Sequence, residues 1–412
     1  MPFAQPNPAL EKYLLDNPDI TYEEAVIGLA SRGVQVTYDT VRSKASRMRA
    51  AGHVVCTKSP PISRKKASSV KGVDKKTVVT FEDAKAKLLS KQADRYERED
   101  TVAEERFQLV LDTVHNAIKP LEFVAGELQP PAAMHSDVCE EEVACLLLSD
   151  THFGKKTRFY NIPVALERVE YVFTKFMGLI DYHRRSGIPV NKAVVFLTGD
   201  LVDGALIYPS QGAHLDTHVV NQIFKTAPHM VEQFTRLAAH VAEIEVYAVP
   251  GNHGRTHKMN HEHANWDTVY VEVLRGVTAN IPNLKWFVEY GWNQTADIAG
   301  VKILQYHGHQ IKMTLNLPWY GVTTRLSRWG SSKALHDFDI AVQGHFHTSS
   351  RLQWNNVKVF LNGTTVAGDE FALEHLGLES SESQWVFFVH PKHRVTAQYE
   401  VNVASIGREA VE

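Results

Sequence analysis

The sequence predicts an α/β fold: a layered domain over residues 141–412, preceded by a helical, helix-turn-helix-like unit over residues 1–57 and by a basic linker with a connecting helix over residues 58–140. Two observations carry the layered domain. Apolar runs of strand length recur from residue 141: VACLLL (143–148), AVVFLTG (193–199), IEVYAVPG (244–251), VKILQYHG (301–308), FDIAVQG (338–344), VKVFLNG (357–363) and WVFFV (385–389). Helical patterns such as VALERVEYVFTKFMGLIDYHRR and VVNQIFKTAPHMVEQFTRLAAHV separate the early runs. Strands that alternate with helices build layered α/β domains. A third observation sets the N-terminal part aside: it carries helical spacing and charge runs.

In chain order, Leu10, Tyr13 and Leu14 have the spacing of one helix face. Thr21 with Glu24 is a capping-box signal for a helix ending near Gly33, and Thr37 caps a third helix closed by Gly52. That third helix, VRSKASRMRA, carries Arg42, Lys44, Arg47 and Arg49. Short helices around a Gly-containing turn outline a helix-turn-helix, with the basic helix as the nucleic-acid reader. A basic solvated helix in a small bundle is the alternative. Residues 58–80 are a Pro/Ser/Lys linker that includes Arg64, Lys65 and Lys66. The stretch 42–76 has a net charge of +10 inside a chain of -3, and such runs favour phosphate backbones through counterion release. A solubilising linker would look similar. Residues 81–119 read as one long helix or two. Phe107, Val110, Leu111, Val114 and Ile118 form an apolar face that packs on the main domain or, as the alternative, on a second copy.

Composition bounds the function classes. Hydrophobic residues make up 44% and charged residues 22%, which is ordinary for a globular protein. No apolar run approaches a membrane span, and the first residues lack a signal-peptide pattern. The three cysteines have no metal or redox spacing. The expectation is a soluble cytoplasmic protein. The 21 histidines stand out, because only His53 lies in the first 100 residues. That density suggests metal chemistry.

The histidines fall where the strands end. VACLLLS leads into Asp150-Thr151-His152, AVVFLTG into Asp200 with Asp203 three residues on, and IEVYAVPG into Asn252-His253. VKILQY leads into His307-Gly308-His309, and FDIAVQG into His345-Phe346-His347. Ligands bind at the carboxyl ends of strands in layered α/β domains, so five strand ends deliver Asp, His and Asn to one rim. Two divalent ions roughly 3.5–4 Å apart can hold a bridging hydroxide and phosphoryl oxygens. A carboxylate shared by both ions suits Asp200. Mixed imidazole and oxygen donors suit Mn, with Fe, Zn or Ni as alternatives, better than Mg or Ca.

The motifs DTH (150–152), GDLVD (199–203), GNH (251–253), HGH (307–309) and GHFH (344–347) occur in the order of a known pattern. On them the chain resembles the calcineurin-like metallophosphoesterase superfamily. The resemblance implies a layered β-sandwich flanked by helices. It implies a first metal on Asp150, His152, Asp200 and His347, and a second on Asp200, Asn252, His307 and His345. His307 is favoured over His309 by the family's H-G pattern. His253 is left without a metal and would protonate the leaving oxygen, with Asp203 orienting it. Where the family often has Asp or Glu after G-N-H, this chain has Gly254. A shorter stretch, GDLVDGALIYPSQ (199–211), resembles the exonuclease subunit of archaeal family-D DNA polymerases. GNHGR (251–255) resembles viral and phage members of the superfamily and would place Arg255 near the phosphate path, with His257 and Lys258. Tyr208, Gln211 and His214 are candidate substrate contacts or loop packing.

Together these imply a two-metal phosphodiesterase on nucleic acid, DNA favoured over RNA, in the cytoplasm and of phage type. The alternatives are a phosphatase or small-molecule phosphodiesterase, and a DNA-binding adaptor. GDLVDGA and GNHG differ from the GDYVDRG and GNHE of protein phosphatases, and the adaptor would need a broken ligand set where this chain has all its ligands.

Overall fold

The structure is a computed structural model. It describes residues 8–17, single positions between 25 and 48, residue 101, and residues 104–122, 128–208, 211–256, 264–313, 318–332, 335, 337–368 and 380–407. By contacts the chain separates into two compact units, Met1–Asp83 and Ala84–Glu412.

In the first unit, helix α1 (Pro8–Asp16) buries Leu10 and Leu14 against Ala25, Leu29, Val41, Ala45 and Met48. The Lys44 ammonium is paired with the Glu11 carboxylate. The expected caps at Thr21 and Thr37, the linker 58–80 and residues 81–100 lie outside the described residues, as do Arg42, Arg47, Arg49, Arg64, Lys65 and Lys66.

Among the described residues of the second unit, a helical run over 104–117, here α2, contributes Phe107 and Leu111 to the main core. Two mixed sheets follow. The first has the order β11-β10-β1-β2-β3-β4: β1 (Val143–Leu148), β2 (Lys192–Thr198), β3 (Glu243–Val249) and β4 (Leu284–Val288) run parallel, while β10 (Ser383–His390) and β11 (Arg394–Asn402) close one side antiparallel. The second has the order β5-β6-β7-β9-β8, formed by β5 (Asn293–Ile298), β6 (Val301–Tyr306), β7 (Ile340–Gln343), β8 (Ser350–Trp354) and β9 (Val357–Leu361). In it, β6, β7 and β9 are parallel neighbours, and β5 and β8 are antiparallel edges.

The strand period of two explains the layering. Along β1, Val143, Cys145 and Leu147 enter the core between the sheets, while Ala144, Leu146 and Leu148 enter the core under the helices. Burial on both faces is why these strands are continuous apolar runs. Between the sheets, Phe360 stacks on Phe387 (4.6 Å between ring centres) and Phe387 on Phe196 (6.5 Å). The outer face of the first sheet is covered by α3 (Ile162–Arg185) and α4 (Val219–Ala238), locked by Phe173 on Phe234 at 5.7 Å, and by α5 (Trp266–Val277). Asn161 caps α3 by accepting the Val164 N–H. Helix α6 (Trp319–Gly330) covers the second sheet through Val322 and Leu326. The layers are therefore helix, sheet, sheet, helix. Among the described residues no helix is long and apolar enough to cross a membrane.

Candidate metal centre

At three strand ends, those of β1, β2 and β7, the backbone takes a conformation that non-glycine residues rarely adopt. Asp150 (φ 52°), His152 (φ 41°), Asp200 (φ 51°), His345 (φ 74°) and His347 (φ 51°) are all in the left-handed region. Such residues persist only where surrounding contacts hold them, and they mark functional sites. Here the turn at each strand end swings a side chain inward. The preceding glycines allow the close approach: a Cβ on Gly344 would lie 2.2 Å from Asp150 Oδ2, and one on Gly251 2.2 Å from Asp200 Oδ1.

The structure gathers the residues singled out in the sequence into linked groups. Ligand atoms of Asp150, His152 and His347 lie within 4.8 Å of one another, as do those of Asp200, His307 and His345. In the first group, His152 Nε2 is 3.0 Å from His347 Nε2, which is 3.3 Å from Asp150 Oδ1. In the second, His307 Nε2 is 3.0 Å from both Asp200 Oδ2 and Asn252 Oδ1. Asp203 Oδ1 meets His152 Nδ1 (2.9 Å) and His253 Nδ1 (3.1 Å), so it holds a member of the first group as well as His253. The His309 ring lies further out, 5.7 Å from His307 and 6.3 Å from His345. Arg255 donates from Nε to the Asn252 carbonyl. His214 is exposed, and His257 and Lys258 are outside the described residues.

The donor set fits divalent cations. The Thr198 carbonyl can only accept, so His307 Nδ1 carries its proton there (2.8 Å). In the neutral ring the Nε2 lone pair then faces two oxygens that are also acceptors. Similarly, Asp203 takes the Nδ1–H of His152 and leaves Nε2 for the centre. Outer partners of this kind fix the tautomer of metal-binding histidines. Charge points the same way. Asp150, Asp200, Asp203 and Asp267 are buried, and none is paired with a Lys or Arg side chain among the described residues. Burial alone would lower the His307 imidazolium, but the Asp200 and Asp150 charges outweigh it and push it up to about 9. Burial and the neighbouring His253 take His152 down to about 4, leaving it neutral as a ligand must be. Burial opposes the charge on His253 too, but Asp200 and Asp203 outweigh it and raise the group above its ordinary value.

The supporting contacts include residues that the sequence patterns did not single out. Asp267, in the first turn of α5, accepts four main-chain N–H groups: Asp200 and Gly251 at Oδ2 (2.8 Å each), Leu201 and Val202 at Oδ1 (3.0 Å each). Burial and then the Asp200 charge push its carboxyl up to about 6, against the pull of these N–H groups. Asp150 is held by the His345 N–H, 3.0 Å from both its oxygens, by the Ser149 hydroxyl, and through its carbonyl by Thr364. Ser149 is tied in turn to Asn362 and Gln384. The sequence signal for Asp267 was slight: it sits beside the Asn265 cap in what reads as an ordinary helix start.

Residues 145–365 match the calcineurin-like phosphoesterase family, and with the match spanning more than half of its length the chain belongs to that family. It is a metal-dependent phosphoesterase. It is 25% identical over 167 residues to the DNA polymerase II small subunit of Archaeoglobus fulgidus, covering 40% of this chain and 30% of that one. To the same subunit of Pyrococcus furiosus it is 31% identical over 122 residues, covering 28% and 17%. The chain thus spans less than a third of these two relatives. To the SPbeta prophage-derived uncharacterised protein YonJ of Bacillus subtilis it is 23% identical over 298 residues, covering 68% and 69%. Among solved structures, an archaeal phosphodiesterase is 11% identical with a TM-score of 0.30, covering 63% of this chain and 98% of its own.

Asp267→Asn tests the support. An amide keeps one acceptor oxygen and turns an NH2 towards the other pair of N–H groups. Two buried donors left unpaired at about 1–3 kcal/mol each predict a loss of about 2–6 kcal/mol in unfolding free energy, measured by chemical denaturation.

Proposed function

We propose that this chain is a two-metal phosphodiesterase that hydrolyses phosphodiester bonds of nucleic acid, DNA in preference to RNA. The observation that carries this reading is the meeting of the two Asp/His groups beside His253, whose Nε2 is the ring nitrogen left for a substrate. Asp150, His152, Asp200 and His347 would hold one ion, and Asp200, Asn252, His307 and His345 the other, with Asp200 shared. Mn suits the mixed donors, with Fe, Zn, Ni or Mg as alternatives. When bound, the ions supply Lewis-acid polarisation of the phosphoryl oxygens and activation of water.

The chain's own residues do the rest. Asp200 and Asp203 favour the charged form of His253, and Asp203 orients it through Nδ1. His253 then gives its Nε2 proton to the departing sugar oxygen. Arg255, tied to the Asn252 carbonyl, would meet a neighbouring phosphate. The basic run 42–76, with Arg42, Lys44, Arg47, Arg49, Arg64, Lys65 and Lys66, would add sequence-independent affinity for a polynucleotide. The Lys44–Glu11 pair takes one of these cations partly out of service. Likeness to a DNA polymerase subunit supports DNA as substrate, and likeness to a prophage-derived protein supports a phage-type enzyme working in a bacterial cytoplasm. Incubation of labelled single- and double-stranded DNA and RNA with Mn²⁺, with products sized on a gel, tests this reading. Shortening of DNA that stops on chelation is expected. Intact polynucleotides alongside turnover of small phosphoesters would assign the chain to the small-molecule class.

His253→Ala should keep both ions by metal analysis and lose roughly 10²–10⁴-fold in turnover on DNA. The loss should be smaller on bis-p-nitrophenyl phosphate, whose leaving group needs little protonation. An equal loss on both substrates would point to charge stabilisation instead.

Removal of residues 1–80 should leave turnover of bis-p-nitrophenyl phosphate nearly unchanged. It should weaken binding to long DNA and flatten the plot of log affinity against log salt, whose slope scales as about 0.9 per phosphate neutralised. An unchanged slope in a filter-binding titration would assign the basic run to another task.

A further inference from the structure

We propose that Tyr208 is a positioning residue that sets Asn252 through its hydroxyl and His253 through its ring. The inference rests on the metal-centre reading above and adds a residue to it. Tyr208 lies in the loop after β2 and is 41% exposed, so it is not held there as part of the core. Its hydroxyl oxygen accepts the Asn252 Nδ2–H at 2.9 Å. Asn252 is fully buried, and this bond decides which end of its amide faces the centre, leaving Oδ1 3.0 Å from His307 Nε2. Without the hydroxyl, Nδ2 is left buried and unpaired. Turning the amide over would point Nδ2 at His307 Nε2 and withdraw the oxygen from the centre.

The ring does separate work. Its centre lies 4.8 Å from that of His253, tilted by 40°. The edge of His152 packs against the His253 ring at 4.4 Å, and Asp203 holds Nδ1. Tyr208 therefore supplies a further wall that fixes the plane of the proton donor. The loop is built to carry it. Gln211, nearly buried, accepts the N–H groups of Ile207 (2.8 Å) and Tyr208 (3.2 Å) and donates to the Asp203 carbonyl. The backbone that presents Tyr208 is thus tied to the residue that orients His253.

The test compares Y208F and Y208A in the full-length chain. Titration calorimetry with Mn²⁺ alone, without substrate, reads the hydroxyl. Y208F should weaken one of the two binding events about 10- to 100-fold, the range for loss of a partner behind a metal ligand. The other event should stay near wild type, the thermal midpoint should fall by only the few degrees that one unpaired buried donor predicts, and kcat at saturating Mn²⁺ should recover. Y208A should show the same weakened event and, at saturating Mn²⁺, a further fall in kcat rather than a rise in KM. That fall should be larger on DNA than on bis-p-nitrophenyl phosphate. Wild-type affinity at both events in Y208F would overturn the hydroxyl's role, and equal kcat on DNA for the two variants would overturn the ring's. Should the wild-type chain cleave no polynucleotide, the nuclease reading falls alone, because the Y208F titration needs no substrate.

Discussion

Asp267 gathers N–H groups from the loops that follow β2 and β3, two neighbouring parallel strands, and the geometry of the centre follows from that. With its N–H on Asp267, Asp200 is held in the left-handed turn and its carboxylate points the opposite way. Oδ1 then accepts the N–H groups of Asn252 and His253, both at 2.8 Å, and Oδ2 is left for the centre. One carboxylate fixes the backbone and the next fixes Asn252 and His253. The first lies in the opening turn of α5, where the helix dipole favours negative charge. Two buried carboxylates at such close quarters repel each other. That repulsion is held off by main-chain N–H groups on one and by the neighbouring His307 and His253 imidazoles on the other.

Much of this was legible in the sequence because the relevant strands are buried on both faces. β1, β2, β3, β6, β7, β9 and β10 read as apolar runs. β4, β5, β8 and β11 did not, because they alternate half-buried and exposed residues and carry polar side chains, as in SRLQW and NQTADI. These four are the edge strands of the two sheets. Helices α5 and α6 were also missed, since their apolar stripes are short. At the site, the residues facing the centre all lie in strand-end motifs that are recognisable by type and spacing. The residues behind them are not. Asp267 is an unremarkable acid in a helix start. Ser149, Asn362 and Gln384 come together only when β1, β9 and β10 align. Asp203 showed its link to His253, but its bond to His152 needs the loops of β1 and β2 to meet.

The division of labour between the sheets accounts for where the centre lies. The first sheet delivers the oxygen-bearing side chains of Asp150, Asp200 and Asn252 from three adjacent parallel strands. The second delivers the imidazoles His307, His345 and His347 from β6 and β7. His152 alone crosses this pattern, and it is the histidine tied back to its own sheet through Asp203. Oxygen and nitrogen donors therefore meet only at the seam, and their separation depends on how the sheets are stacked. Phe196, Phe360 and Phe387 fill that interface. Gln305 reaches from β6 across to the carbonyls of Leu197 (2.9 Å) and Tyr247 (3.2 Å) on the opposite sheet. That amide sits two residues before His307 and bonds one residue before Thr198, whose carbonyl sets the His307 tautomer. This contact between the sheets thus lies directly behind the one that orients the His307 ring.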